Sequence, residues 1–294
     1  MNSKLSKWLC AAMALLSLAL AACSSLAKLS NQDVQKQLAE AQLKIPPAII
    51  DRLGDWAFQI YLKSQSRSLL QNPQIDAQIK SVLDRLLAAA QRTQYAETVK
   101  AFNWEVKVIK DNSVSNAVAF PGGKIIVYSG LFDAKTDPEY NNLAVTLSHE
   151  IVHALERHFV ERLDKEIVNL QKIAATRGQL KESDLSPEAI AAILAAMGIE
   201  HLTSGVPPFV RQHEAEADWV GLFFLALAGY HPQLAPKFWG QMKQDLAEKK
   251  MPAFLSAHAS YEERIQLLAR WAPVALRYYQ KPAGSAPAIA GLQN

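Results

Sequence analysis

The chain has 294 residues, half of them hydrophobic, and a formal net charge of +3. Two of the basic residues, Lys4 and Lys7, belong to an N-terminal leader, so the remainder carries +1 and gives no electrostatic case for nucleic acid. Both cysteines, Cys10 and Cys23, fall within or just after that leader, which excludes a disulfide framework or a cysteine-rich metal site in the rest of the chain.

After Lys4 and Lys7, Trp8 to Ala22 is an apolar run interrupted only by Ser17. A bilayer span needs about 20 apolar residues, so this run reads as an export signal. It ends in Leu20-Ala21-Ala22-Cys23, which resembles the lipobox of bacterial lipoproteins. That resemblance implies acylation of Cys23 and a membrane anchor. Ser24 follows the cysteine in place of an inner-membrane retention aspartate, so the implied address is the outer membrane, facing the periplasm. The alternative in the same stretch is ordinary cleavage after Ala19-Leu20-Ala21. Expected boundaries are a signal over 1–22, a lipidated tether over 23–30, one folded domain over 31–280 and a disordered tail over 281–294, rich in Ala, Pro and Gly.

Gln32 to about Leu62 is helical in pattern, broken by Pro46-Pro47. Asn72-Pro73 starts a helix whose face is Ile75, Ile79, Val82, Leu83, Leu86 and Leu87, ending near Thr93. The period then changes. Trp104, Val106 and Val108 alternate as in a strand, Ala117 to Phe120 is a second strand, and Lys124 to Ser129 a third. Pro121-Gly122-Gly123 is the turn between the last two, and the expected sheet is small and antiparallel. Asp137-Pro138 caps a helix that runs through Leu143, Leu147, Ile151 and Leu155 to about Asp164. Residues 165–208 read as an inserted helical hairpin. Further helices are expected at Phe209–Ala228, Pro236–Lys249 and Ser260–Tyr278. The fold class is mainly α, of α+β type.

His149-Glu150-Ile151-Val152-His153 is an HExxH motif. On a helix the two histidines lie one turn apart on one face, and both can reach one Zn²⁺ at about 2.0–2.1 Å. Glu150 is placed to act as general base on a metal-bound water. A third ligand must come from another element, because one from the same helix gives poor tetrahedral geometry; Glu156 fails on that ground. The later helix carries Glu214-Ala215-Glu216-Ala217-Asp218. Glu214 and Asp218 share a face, with Glu216 roughly 200° from Glu214. Glu214 is therefore the expected ligand and Asp218 the acceptor of a zinc-bound histidine's second N–H. Gly221, one turn further, would let the two helices approach closely. His158 lies about 140° off the His153 face and is not expected to bind metal. The plain alternatives are two core histidines and a solvated acidic stripe; their coincidence in one chain favours one zinc per chain.

Several stretches together resemble the HtpX/Ste-type zinc metallopeptidases, which include bacterial lipoprotein proteases. They are Asn116-Ala117 to Lys124, Tyr128 to Leu131, His149 to His153, Arg211 to Asp218, Ala228-Gly229-Tyr230, Phe238-Trp239 and Glu263-Arg264-Ile265. The resemblance covers about residues 75–270 and implies a gluzincin-like fold, endopeptidase activity on polypeptides and Glu214 as the third ligand. It also places His258 at the active-site mouth, as an oxyanion donor or a gate. Asn142, Phe209-Val210 and Ala259 depart from the family pattern without removing a ligand. Arg211 either orients carboxylates in the cleft or forms a structural ion pair. Asn116, Ala117, Val118 and Ala119 form a candidate edge strand for an extended substrate. The expected function is degradation of misfolded or unassembled envelope proteins. The alternative is an outer-membrane assembly factor that partners the assembly machinery, with residues 165–208 as the partner surface.

Overall fold

The computed structural model describes residues 47–133, 135, 137, 139–159, 211–249 and 261–279. The leader, Cys23, the 165–208 segment, His258 and the tail lie outside these residues. The described elements are helices α1 (Pro47–Ser64), α2 (Pro73–Ala90) and α3 (Ala96–Ala101), strands β1 (Glu105–Ile109), β2 (Ala117–Phe120) and β3 (Lys124–Tyr128), then helices α4 (Asn141–Glu156), α5 (Arg211–Leu227), α6 (Leu234–Lys249) and α7 (Tyr261–Tyr279). All belong to one compact unit.

Helix α2 begins as expected. The Asn72 side chain accepts from the backbone N–H of Gln74 (3.1 Å) and Ile75 (3.2 Å), and Pro73 occupies the first turn. Its apolar face, Ile79 to Leu87, is buried. The six residues of α3 are too few to display a period, so the sequence pattern does not predict this helix.

The sheet is mixed, which corrects the expected antiparallel arrangement. Strand order is β1-β3-β2. β2 and β3 form the antiparallel hairpin, with Ala119 opposite Ile125. β1 pairs with β3 in parallel, Val106 opposite Ile125. The hairpin folds back so that its second strand docks against β1, which leaves β2 as a sheet edge. Gly122 and Gly123 carry φ of +80° and +90° at the turn, where an L side chain would be strained.

Helix α4 starts later than Asp137-Pro138 suggests, yet Asp137 still caps it. Its carboxylate accepts from the Asn142 backbone N–H (2.8 Å) and the Asn141 side-chain amide (3.0 Å). The helix ends at Glu156, well before Asp164, because Arg157 turns left-handed at φ +56°. Every residue from Leu143 to Leu155 is buried, since β2, α2, α5 and α6 all pack around this helix. Leu143, Leu147 and Ile151 are fully enclosed and each contributes about 1.5–3 kcal/mol of burial.

α5 lies closest to α4, and Gly221 permits it. A Cβ there would stand 2.9 Å from the Ser148 carbonyl oxygen, immediately before His149. At the far end of α5, Arg85 of α2 donates to the Ala228 carbonyl (2.9 Å) and stacks over Tyr230, satisfying an orphan helix-terminal acceptor. Gly221→Ala should destabilise the protein by about 1–3 kcal/mol in denaturant unfolding. Gly240→Ala in α6, with nothing within 4 Å, should stabilise it by about 0.5–1 kcal/mol. Equal effects from the two would contradict the close approach.

Candidate metal centre

His149 and His153 project from the same face of α4 toward the first turn of α5, where Glu214 sits. His149 Nε2 and His153 Nε2 are 3.0 Å apart. Glu214 Oε1 is 3.3 Å from His153 Nε2, and Oε2 is 3.6 Å from His149 Nε2. All three side chains are buried. They are the one group of three or more metal-capable side chains converging within 4.8 Å among the described residues. Tetrahedral bonds of about 2.0–2.2 Å to a shared zinc put ligand atoms roughly 3.3–3.5 Å apart. The observed spacings bracket that range, and two imidazoles with one carboxylate are a zinc donor set. The residues fit a zinc ion.

The side chains of the cluster are held from behind. Asp218, one turn beyond Glu214, places Oδ1 2.9 Å from His149 Nδ1. The expected second-N–H acceptor is therefore where the helix period put it. With Nε2 turned to the cluster, Nδ1 carries the proton and donates to Asp218. Burial would raise the Asp218 pKa, but the Arg264 guanidinium outweighs it and, with the His149 bond, holds the carboxyl below its usual range. Burial likewise drives His153 well below the usual histidine range, so it stays neutral and able to ligate.

The role of Arg264 emerges only from the tertiary structure. From α7 it donates to both Asp218 oxygens, Nε to Oδ2 at 2.8 Å and Nη2 to Oδ1 at 2.7 Å. Its Nη1 lies 3.2 Å from Glu214 Oε2, and the guanidinium stacks 3.9 Å over Trp239. Nη2 also stands 3.2 Å from His149 Nδ1, a proximity imposed by their common acceptor, Asp218. The signal available was the Glu263-Arg264-Ile265 stretch, which carries no periodic or spacing cue for its partner.

Glu150 is buried beside His149, and its Oε2 accepts from the Ala119 backbone N–H of β2 at 3.1 Å. Asn116, Ala117 and Val118 are buried and Ala119 is partly exposed. Arg211 stands apart from the ligands. It is largely exposed and its Nη1 lies 3.5 Å from Glu263 Oε2. His158, which is not expected to bind metal, lies with Nδ1 3.0 Å from His153 Nδ1.

Arg264→Leu should leave Glu214 and Asp218 buried against each other without a cation. The expected cost is about 3–5 kcal/mol of stability in chemical unfolding. Arg264→Lys should recover little of it, because an ammonium lacks the fork that serves both Asp218 oxygens. Wild-type stability in either variant would contradict this geometry.

Residues 73–272 match Peptidase family M48. The mitochondrial metalloendopeptidase OMA1 of Saccharomyces cerevisiae is 27% identical over 78% of this chain and 65% of its own length. The zebrafish (Danio rerio) OMA1 is 33% identical over 64% of this chain and 39% of its own. The putative beta-barrel assembly-enhancing protease of Vibrio cholerae is 31% identical over 68% of this chain and 40% of its own. The chain spans less than two thirds of the length of these curated relatives. They correct one expectation. The leader implied an outer-membrane lipoprotein facing the periplasm, but mitochondrial proteins from yeast, plant and animals head the relatives. That address rests on residues 1–24 alone, and the relatives overturn it. Among the described residues no helix is long and apolar enough to cross a membrane. With the match over residues 73–272 and a buried His-His-Glu cluster that fits zinc, the chain belongs to peptidase family M48, the zinc metallopeptidases.

Proposed function

We propose that this chain is a zinc-dependent endopeptidase acting on extended segments of misfolded or unassembled polypeptides. The observation that carries the reading is the placement of Glu150. Its neighbour in sequence, His149, belongs to the buried cluster that fits zinc, and its carboxylate accepts a hydrogen bond from the Ala119 N–H of β2. His149, His153 and Glu214 would hold the zinc, which when bound would supply Lewis acidity toward the scissile carbonyl and a water.

The chain's own residues do the rest. Glu150 takes a proton from the attacking water and delivers it to the leaving amine as the C–N bond breaks. The oxygen goes to the carbonyl carbon, and no covalent enzyme intermediate forms. The Ala119 N–H fixes one carboxylate oxygen of Glu150. The β2 edge, Asn116 to Ala119, is the proposed docking rail for substrate. Ala119 turns its N–H away from β3 and toward Glu150, so a chain added along that edge would run past the base. Main-chain pairing reads backbone and tolerates any side chain, which suits unfolded substrates.

A second reading has support in the printed names of two bacterial relatives. Those of Vibrio cholerae and Yersinia pestis are called beta-barrel assembly-enhancing proteases, the former putative. On that reading the chain assists assembly of other proteins and cleavage is secondary.

Glu150→Gln should retain one zinc per chain and lose turnover of an unfolded substrate such as casein by about 10²–10⁴-fold. Removing zinc with a chelator should abolish wild-type cleavage, and adding zinc back should restore it. Near-wild-type cleavage by the Gln variant would exclude Glu150 as the base. Full complementation of a deletion strain by the same inactive variant would favour the assembly reading.

A further inference from the structure

On a continuing helix His158 would point about 140° from His153. The helix does not continue. Arg157 adopts φ +56°, with its guanidinium forked onto Asp51 of α1 (Nε to Oδ1 3.1 Å, Nη2 to Oδ2 3.0 Å). This reversal swings the His158 ring back under the metal cluster. Its Nδ1 stands 3.0 Å from His153 Nδ1, and its Nε2 stands 3.3 Å from Glu216 Oε2 on α5. The ring is buried and stacked on His213, with centroids 4.3 Å apart and planes 9° from parallel.

These contacts admit one consistent set of protons. His153 Nε2 faces Glu214 and His149 within the ligand cluster, so its proton resides on Nδ1. That N–H can donate only if His158 Nδ1 is bare. His158 then carries its proton on Nε2, from which it donates to Glu216.

We propose that His158 and Glu216 are positioning residues for the metal centre: a carboxylate–imidazole relay that fixes His153 in its metal-binding tautomer and orientation, as Asp218 does directly for His149. The inference rests on the zinc reading of the cluster. It gives Glu216, which faces away from Glu214 on α5, a task on the His153 side of the site. It also gives the left-handed Arg157 and its Asp51 anchor a purpose, since both are needed to aim His158.

The test uses the full chain stripped of metal, with zinc affinity measured by competition against a chromophoric chelator. His158→Phe keeps a ring to stack on His213 but has no acceptor. His158→Asn keeps an acceptor oxygen near the Nδ1 position. The Phe variant should bind zinc about 10–100-fold more weakly, with the melting temperature of the metal-free protein unchanged. The Asn variant should recover most of that affinity. The d–d spectrum of the Co²⁺-loaded Phe variant should shift, because His153 is released to rotate. Wild-type affinity in the Phe variant, or equal losses in both variants, would overturn the relay. If His149→Ala and His153→Ala left zinc binding unchanged, the zinc reading itself would fail and take this inference with it.

Discussion

Arg264 is the interaction on which the centre depends. Glu214 and Asp218 occupy one face of α5 and are both buried. Two carboxylates removed from water without a cation would cost several kcal/mol each, and one would stay protonated. Arg264, from a helix 46 residues beyond Asp218, reaches both. It holds Asp218 ionised to accept from His149 and lies beside the Glu214 oxygen that faces His149. Trp239 roofs the guanidinium, which favours the weakly hydrated Arg over Lys. In formal charge, Glu150, Glu214 and Asp218 against Arg264 leave two negative charges. A divalent ion would supply the complement.

The same centre explains the helix packing. α4 can present two imidazoles to α5 only if the backbones come close, and Gly221 opposite Ser148 sets that distance. Glu214 lies in the first turn of α5, where the helix dipole favours a negative charge. β2 closes the other side and ties its edge amide to Glu150. Rigid elements surround each ligand, and a centre built this way needs little reorganisation when metal or substrate arrives.

Much of this was legible in the sequence because it is periodic. His149 and His153, and then Glu214 and Asp218, are one turn apart on their helices, so spacing alone set their shared direction. Asp218 beside His149 follows from that period. Three features were not legible, each for a tertiary reason. The pairing of Arg264 depends on how α7 crosses α5, which local pattern does not encode. The contact of His158 with His153 was not legible because the expected helix ran to Asp164, whereas a left-handed Arg157 ends it at Glu156. The parallel pairing of β1 depends on which face of the hairpin docks, and alternation within a strand cannot state it.

The central claim is that one divalent ion is shared by His149 and His153 of α4 and Glu214 of α5. Anomalous diffraction at the zinc edge from crystals of the zinc-loaded full chain tests it most directly. The expected result is a single peak within about 2.0–2.2 Å of His149 Nε2, His153 Nε2 and a Glu214 carboxylate oxygen. A peak elsewhere, or one bonded to both histidines with Glu214 out of reach, would contradict the account.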